Sequence, residues 1–256
     1  MSADDLLDKG TRALDEGDIK SALQCFQQAV DLEDSIDGRI LLAEAQIENG
    51  SFSKAHTSLA AGLALDSENI DLLFILGDLY LEENRNAEAI STYQQIIDLY
   101  PDETDAWVSK AMAYVNIDDL EAAEMTCRKA LETDPGSAFA LNALGDIHVA
   151  QALPESAIQC FERAVELEPE NPQPYLSLAE LYYDTENLAE AETYCLKGLE
   201  LDASIPAGYL TLANICLDLD RTQEAVENYQ QFLRLEKSPA AKQICDEVSA
   251  VIDGLK

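Results

Sequence analysis

The sequence predicts an all-α fold, a solenoid of seven helix–turn–helix repeats closed by a C-terminal helix, and three observations carry that expectation. An alanine recurs at Ala22, Ala55, Ala89, Ala123, Ala157, Ala191 and Ala225, 33 residues apart once and 34 apart five times. Thirteen residues ahead of the last six stand Leu42, Leu76, Lys110, Leu144, Leu178 and Leu212, each followed by a small residue: Ala43, Gly77, Ala111, Gly145, Ala179 and Ala213. Four residues beyond each alanine comes a larger or soft apolar side chain: Phe26, Leu59, Tyr93, Cys127, Phe161, Cys195 and Tyr229. A fixed period of this length marks stacked supersecondary units, none of which buries a core alone. The small position lets the two helices of a unit approach closely, where a bulkier side chain would overpack.

The repeats run over residues 3–35, 36–69, 70–103, 104–137, 138–171, 172–205 and 206–239. Pro101, Pro135 and Pro169 end the second helices of their units. The first unit has Lys9 and Ala13 where others carry large apolar groups, as suits an outer cap. After the seventh, Ser238 and Pro239 read as an N-cap and first helical residue. They open a capping helix over 240–256, with Ile244, Val248, Val251 and Ile252 on one face to cover the last apolar surface.

Composition narrows the function. The 256 residues are 47% hydrophobic, ample for a core, yet 50 Asp+Glu against 16 Lys+Arg give a net charge of −34. Such a field repels phosphate backbones and anionic lipid and attracts cationic partners, so neither nucleic acid nor membrane insertion is expected. The start "MSADDLLDKG" has neither the basic nor the apolar region of a secretory signal, and the expectation is a soluble cytoplasmic protein. Cys25, Cys127, Cys160, Cys195, Cys216 and Cys245 form no C-x-x-C pair. They read as reduced thiols, four of them inside apolar helical patterns, rather than a disulfide framework or zinc site.

The frame resembles the tetratricopeptide repeat, W-x2-L-G-x2-Y followed by A-x3-F and P. "LLFILGDLY" with "AISTY" and Pro101 matches it closely, and "WVSKAMAY" places Trp107 at the aromatic position. The resemblance spans residue 3 to about 239 and implies a right-handed superhelical solenoid whose concave groove holds extended or helical peptide segments. Ile96 and Phe232 depart from the family's small residue seven past the alanine. Some members clamp the C-terminal carboxylates of chaperones with lysines, asparagines and an arginine. The corresponding columns here offer Asn142 and Asn214 and no cation, so that activity is not implied.

"ILGDLYLEEN" sets Asp78 in an apolar run, and "LGDIHV" repeats the arrangement at Asp146. On a helical wheel Leu73, Leu76, Gly77 and Tyr80 form one arc of about 100°, the packing stripe. Asp71, Phe74, Asp78, Leu81 and Glu82 form a second, centred about 140° away. By the resemblance this second arc lines the groove. Across the units it gives the candidate binding residues Asp37, Ile40, Glu44, Asp71, Phe74, Asp78, Leu81, Glu82, Asp105, Asp146, Leu176, Glu180, Tyr183, Asp184 and Asn214. No lysine or arginine occurs in the acidic columns. Asp78 and Asp146 are expected to face the groove and meet cations of a partner.

"EDSIDGRILLAE" resembles a calcium loop at Asp37, Gly38, Ile40 and Glu44, but it begins on Glu33 where that loop needs aspartate. His56 and His148 stand singly on separate units. No phosphate loop, nucleophile elbow or H-E-x-x-H occurs, and no cofactor, metal or catalysis is expected. The reading is a protein–protein interaction scaffold or adaptor whose acidic, apolar-striped groove binds a basic, partly apolar protein segment. Its rivals are a holding chaperone or assembly factor for a cationic client, and a scaffold that self-associates through its end units.

Overall fold

Every repeat turns over at the same place, and the backbone there explains its spacing. Five residues before each marker alanine stand Gly17, Gly50, Asn84, Asp118, Ala152, Glu186 and Asp220, all in the left-handed region with φ between 58° and 76°. Glycine adopts this conformation freely; Ala152 and Glu186 hold it at a cost. The computed structural model describes residues 1–255, and among these every regular element is helical. Residues 1–134 and 135–256 are two compact units.

In the first unit α1 (Ala3–Asp15) pairs with α2 (Ile19–Leu32), α3 (Ile36–Glu48) with α4 (Phe52–Leu65), α5 (Ile70–Glu82) with α6 (Asn86–Leu99), and α7 (Thr104–Val115) with α8 (Leu120–Thr133). Ser2, Asp18, Ser35, Asn69 and Asp119 cap helices by accepting backbone N–H groups that otherwise lack partners. As an outer helix should, α1 buries only Leu6 and Gly10.

The second unit pairs α9 (Ala138–Ala150) with α10 (Pro154–Leu167), α11 (Pro172–Asp184) with α12 (Leu188–Leu201), and α13 (Pro206–Asp218) with α14 (Thr222–Leu235). Proline opens α10, α11 and α13, where its missing N–H and fixed φ do no harm. Helices α6, α8 and α10 stop two residues short of Pro101, Pro135 and Pro169, since the residue before a proline is driven from the helical region.

The capping segment differs in detail from its expectation. Pro239–Ala241 forms a 3-10 turn, and α15 (Lys242–Leu255) follows. Val248 and Ile252 are buried in the cluster that holds Tyr229 and Phe232, but Ile244 and Val251 are exposed. The covering stripe is therefore one residue wide per turn. Lys256, the end of the expected helix, lies outside the described residues.

Within a pair, size matching sets the small column. A Cβ added to Gly10, Gly77 or Gly145 would lie 2.4–2.6 Å from the ring of Phe26, Tyr93 or Phe161. Alanine replaces glycine where Leu59, Cys127 or Cys195 stands four past the marker; the seventh repeat, with Ala213 and Tyr229, departs from this. Ile96 and Phe232 are accommodated in full burial despite the family's small residue there.

Two further stripes on the first helices escaped the wheel. Leu72 and Leu79 are fully buried against Ala43, Ala55 and Leu59 of the preceding pair. The Leu72 column is buried at Gly38, Ala106, Ala140, Pro174 and Gly208 as well. Within each unit, a first helix that follows another pair packs against its own partner and against that pair, so only one narrow face remains for solvent.

Candidate binding face

That remaining face carries the acidic columns. In the first unit Asp37, Glu44, Asp71, Asp78, Glu82 and Asp105 are exposed, with Ile40, Phe74 and Leu81 half-buried between them. In the second unit Asp146, Glu180 and Asp184 are exposed, with Tyr183 and Asn214 half-buried. None of these nine carboxylates forms an ion pair among the described residues. The ion pairs lie elsewhere, as in Arg39–Asp34, Arg163–Glu166 and Lys197–Glu200.

One expected groove residue belongs to the core. Leu176 is 4% exposed, and its Cδ2 sits where a Cβ on Gly198 or Gly208 would lie 2.6 or 3.1 Å away. Two glycines make a slot, and a leucine fills it.

Asp78 has a structural role that the sequence did not predict. It accepts a 2.5 Å hydrogen bond from the hydroxyl of Tyr93, a ring that is otherwise fully buried. Asn214 does the same for Tyr229 at 2.7 Å. These are the two repeats in which the residue four past the marker is tyrosine, and an acceptor stands eleven before the marker in each. Asp78 thus satisfies a core hydroxyl from the solvent side, which a buried phenol requires.

Asp146 and Glu180 stand at the same position in repeats whose residue four past the marker is Phe161 or Cys195, neither of which carries such a hydroxyl. Desolvation pushes the Asp146 carboxyl up to about 6. Glu180 is raised by desolvation and then by the charges of Asp184 and Asp146, and Glu44 by desolvation and then by Asp71. Each is open to solvent over part of its area yet hemmed in by protein. Burial, then bonding to and the charge of Asp218, lifts the Tyr183 phenol to about 12.

The calcium-like segment is helical from Ile36 onward, and its Gly38 is buried where an added Cβ would lie 3.1 Å from Val30 Cγ2, so it serves close packing. No group of three or more possible metal-ligating side chains occurs among the described residues. His56 Nε2 lies 2.6 Å from Glu83 Oε2, and buried His148 lies 3.7 Å from the Sγ of Cys160. All six cysteines are free thiols, five of them buried and Cys245 partly exposed. Among the described residues no helix is long and apolar enough to cross a membrane.

Comparison with known proteins places this geometry. The family described as the C-terminal domain of cilia and flagella-associated protein 70 matches residues 5–248. A repeat-containing protein of Bacillus subtilis strain 168, YpiA, is 31% identical over 120 residues, which are 47% of this chain and 28% of that protein. The chain therefore spans just over a quarter of the length of this curated relative. A tetratricopeptide repeat protein from Parabacteroides merdae ATCC 43184 superposes with a TM-score of 0.75 at 18% identity, covering 98% of both chains. Yeast Tom70 does so with a TM-score of 0.83 at 17% identity, over 99% of this chain and 53% of that one. Repeat spacing, paired helices and the family match agree: the chain belongs to the tetratricopeptide repeat family represented by the C-terminal domain of cilia and flagella-associated protein 70.

Proposed function

We propose that the chain is a non-catalytic interaction scaffold in which the exposed face of the first helices binds a basic, partly apolar segment of a partner protein. The observation that carries this reading is a set of carboxylates without internal cations, held where solvent is partly excluded: Asp146 and Glu180 in the second unit, Glu44 in the first. An unpaired, partly desolvated charge is destabilising by itself, and a lysine or arginine from a partner relieves it. Phe74 and Leu81 beside Asp78, and Tyr183 beside Asp184, supply the apolar part of such a contact.

The test is selection from a random peptide display library on the wild-type protein. The selected peptides are expected to combine Lys or Arg with large apolar residues. They should lose affinity for Asp146→Asn/Glu180→Gln or for Glu44→Gln/Asp71→Asn, variants that remove charge while keeping shape. Peptides without basic residues, or equal affinity for both variants, would overturn the reading.

A further inference from the structure

We propose that Tyr182, Tyr194, Glu162 and Glu190, all in the second unit, form a docking site for an arginine side chain of a partner protein. The pattern for it is already present in the chain. Arg85 sets its guanidinium 4.4 Å from the centroid of the Tyr80 ring and its Nε 3.0 Å from Glu88 Oε1, with Glu83 Oε2 at 3.3 Å from Nη1. Four repeats on, Arg221 stands at the corresponding position. It donates to Glu224 at 2.8 Å and Glu192 at 2.6 Å and acts electrostatically on Cys216, which occupies the Tyr80 column. In both cases the arginine lies four residues before the marker alanine and a glutamate lies one before it.

The sixth repeat keeps the tyrosine and the following glutamate of this socket, has Thr185 where Glu83 stands, and lacks the plug. Tyr182 and Glu190 stand where Tyr80 and Glu88 stand, but the arginine position is Asn187, which turns its Nδ2 to Thr185 Oγ1 at 3.1 Å. Glutamate occurs one before the marker in three repeats only, the two that have the arginine and this one. Glu190 forms no ion pair among the described residues, and the neighbouring cations Arg163 and Lys197 are held by Glu166 and Glu200.

The sixth repeat also adds features suited to a cation. Tyr194 stacks on Tyr182 with centroids 5.5 Å apart and planes 5° from parallel, both rings half-buried. Burial and then the charges of Glu162 and Glu190 raise the Tyr182 phenol, and the same carboxylates act on Tyr194, so these groups share one electrostatic neighbourhood. A guanidinium stacks flat on an aromatic face while donating in a fork to a carboxylate, which an ammonium cannot do. Arginine is therefore favoured over lysine. The site lies on α10, α11 and α12 apart from the acidic columns, and its failure would leave the groove reading untouched.

The probe is acetyl-Gly-Arg-Gly-amide, with its lysine and citrulline counterparts, titrated into the whole protein while the ring resonances of labelled tyrosines are followed. Tyr182→Phe and Tyr194→Phe assign the two rings. The arginine peptide is expected to shift both saturably and to bind at least about three-fold tighter than the lysine peptide, with citrulline inert. Asn187→Arg, which supplies the guanidinium from within, should abolish these shifts and raise the melting temperature. Glu190→Gln should weaken binding by about three-fold or more. Equal shifts with arginine and lysine would mean diffuse attraction of cations to an acidic chain. That result, no shift at all, or wild-type binding by Asn187→Arg would overturn the proposal.

Discussion

Gly145→Ala is a mild substitution by sequence, since four other repeats carry alanine at that column and the sequence alone argues that it is tolerated. The structure argues otherwise. The added Cβ would lie 2.4 Å from Phe161 Cε1, 2.7 Å from Cζ and 2.8 Å from Cδ1, against an ordinary carbon–carbon contact of about 3.5–4.0 Å. The ring is 1% exposed and must retreat by roughly 1 Å into a filled core. Overpacking of this kind costs about 1–3 kcal/mol. Replacing a mid-helix glycine by alanine returns about 1 kcal/mol, leaving a net loss of about 1 kcal/mol. With Phe161→Leu, which creates space at a cost of roughly 1–2 kcal/mol, Gly145→Ala should instead stabilise by about 0.5–1 kcal/mol. The coupling is thus about 2 kcal/mol, and Ala43 with Leu59 shows the double variant's pairing already at work. Urea unfolding of the four proteins, followed by far-UV circular dichroism at the transition the substitutions move, measures it. A Gly145→Ala protein more stable than wild type, or additivity within about 0.5 kcal/mol, would refute the size-matching argument.

Other consequences follow from single residues. Ala152→Gly should stabilise by about 1 kcal/mol, because Ala152 sits at φ 58° where the first two repeats use glycine; a lower melting temperature would contradict it. Asp146 has its folded value raised to about 6 from 3.8, so its charge is penalised in the folded state above about pH 6, and the penalty fades as pH falls toward 3.8. Asp146→Asn should therefore stabilise at pH 7.5, by about 1 kcal/mol after allowance for solvent screening, and lose that advantage below about pH 4. Asp78→Leu should cost about 0.5–1.5 kcal/mol by removing the acceptor of the Tyr93 hydroxyl, which keeps Ser109 as its other partner, and Tyr93→Phe should remove most of that cost. A thiol reagent should label Cys245 first, while Cys195 stays slow until denaturant is added: burial lifts its thiol to about 12, and it donates to Gly208 O at 3.1 Å.

The repeat was legible because the constraints that set it act within about thirty residues: a marker alanine, a small residue beside a ring, a proline past the helix end. The wheel read Leu73 and Gly77 correctly as a packing stripe because they meet Tyr93 and its neighbours in their own repeat, whereas Leu76 and Tyr80 of the same arc also reach the repeat before. It missed Leu72 and Leu79 because their partners, Leu59 and Ala43, come from the repeat before, and a single-helix wheel holds no information on neighbours. Leu176 was misplaced for a related reason, since its slot is made by Gly198 and Gly208, one on each following helix. The link between Asp78 and Tyr93 was readable in principle from the tyrosine–acceptor pairing repeated at Tyr229 and Asn214. Glu44, Asp146 and Glu180 look like any other acids in a sequence with 50 of them; only their surroundings distinguish them.

Chemical-shift mapping of a selected basic peptide on the isotopically labelled protein, at low and at physiological salt, tests most directly whether the acidic face is the binding face. In the second unit the amide resonances that move are expected to be those of α9, α11 and α13 around Asp146, Glu180 and Asn214, with affinity falling as salt screens the attraction. Perturbations confined to the second helices α10, α12 and α14, or an affinity indifferent to salt and to Asp146→Asn/Glu180→Gln, would contradict the account.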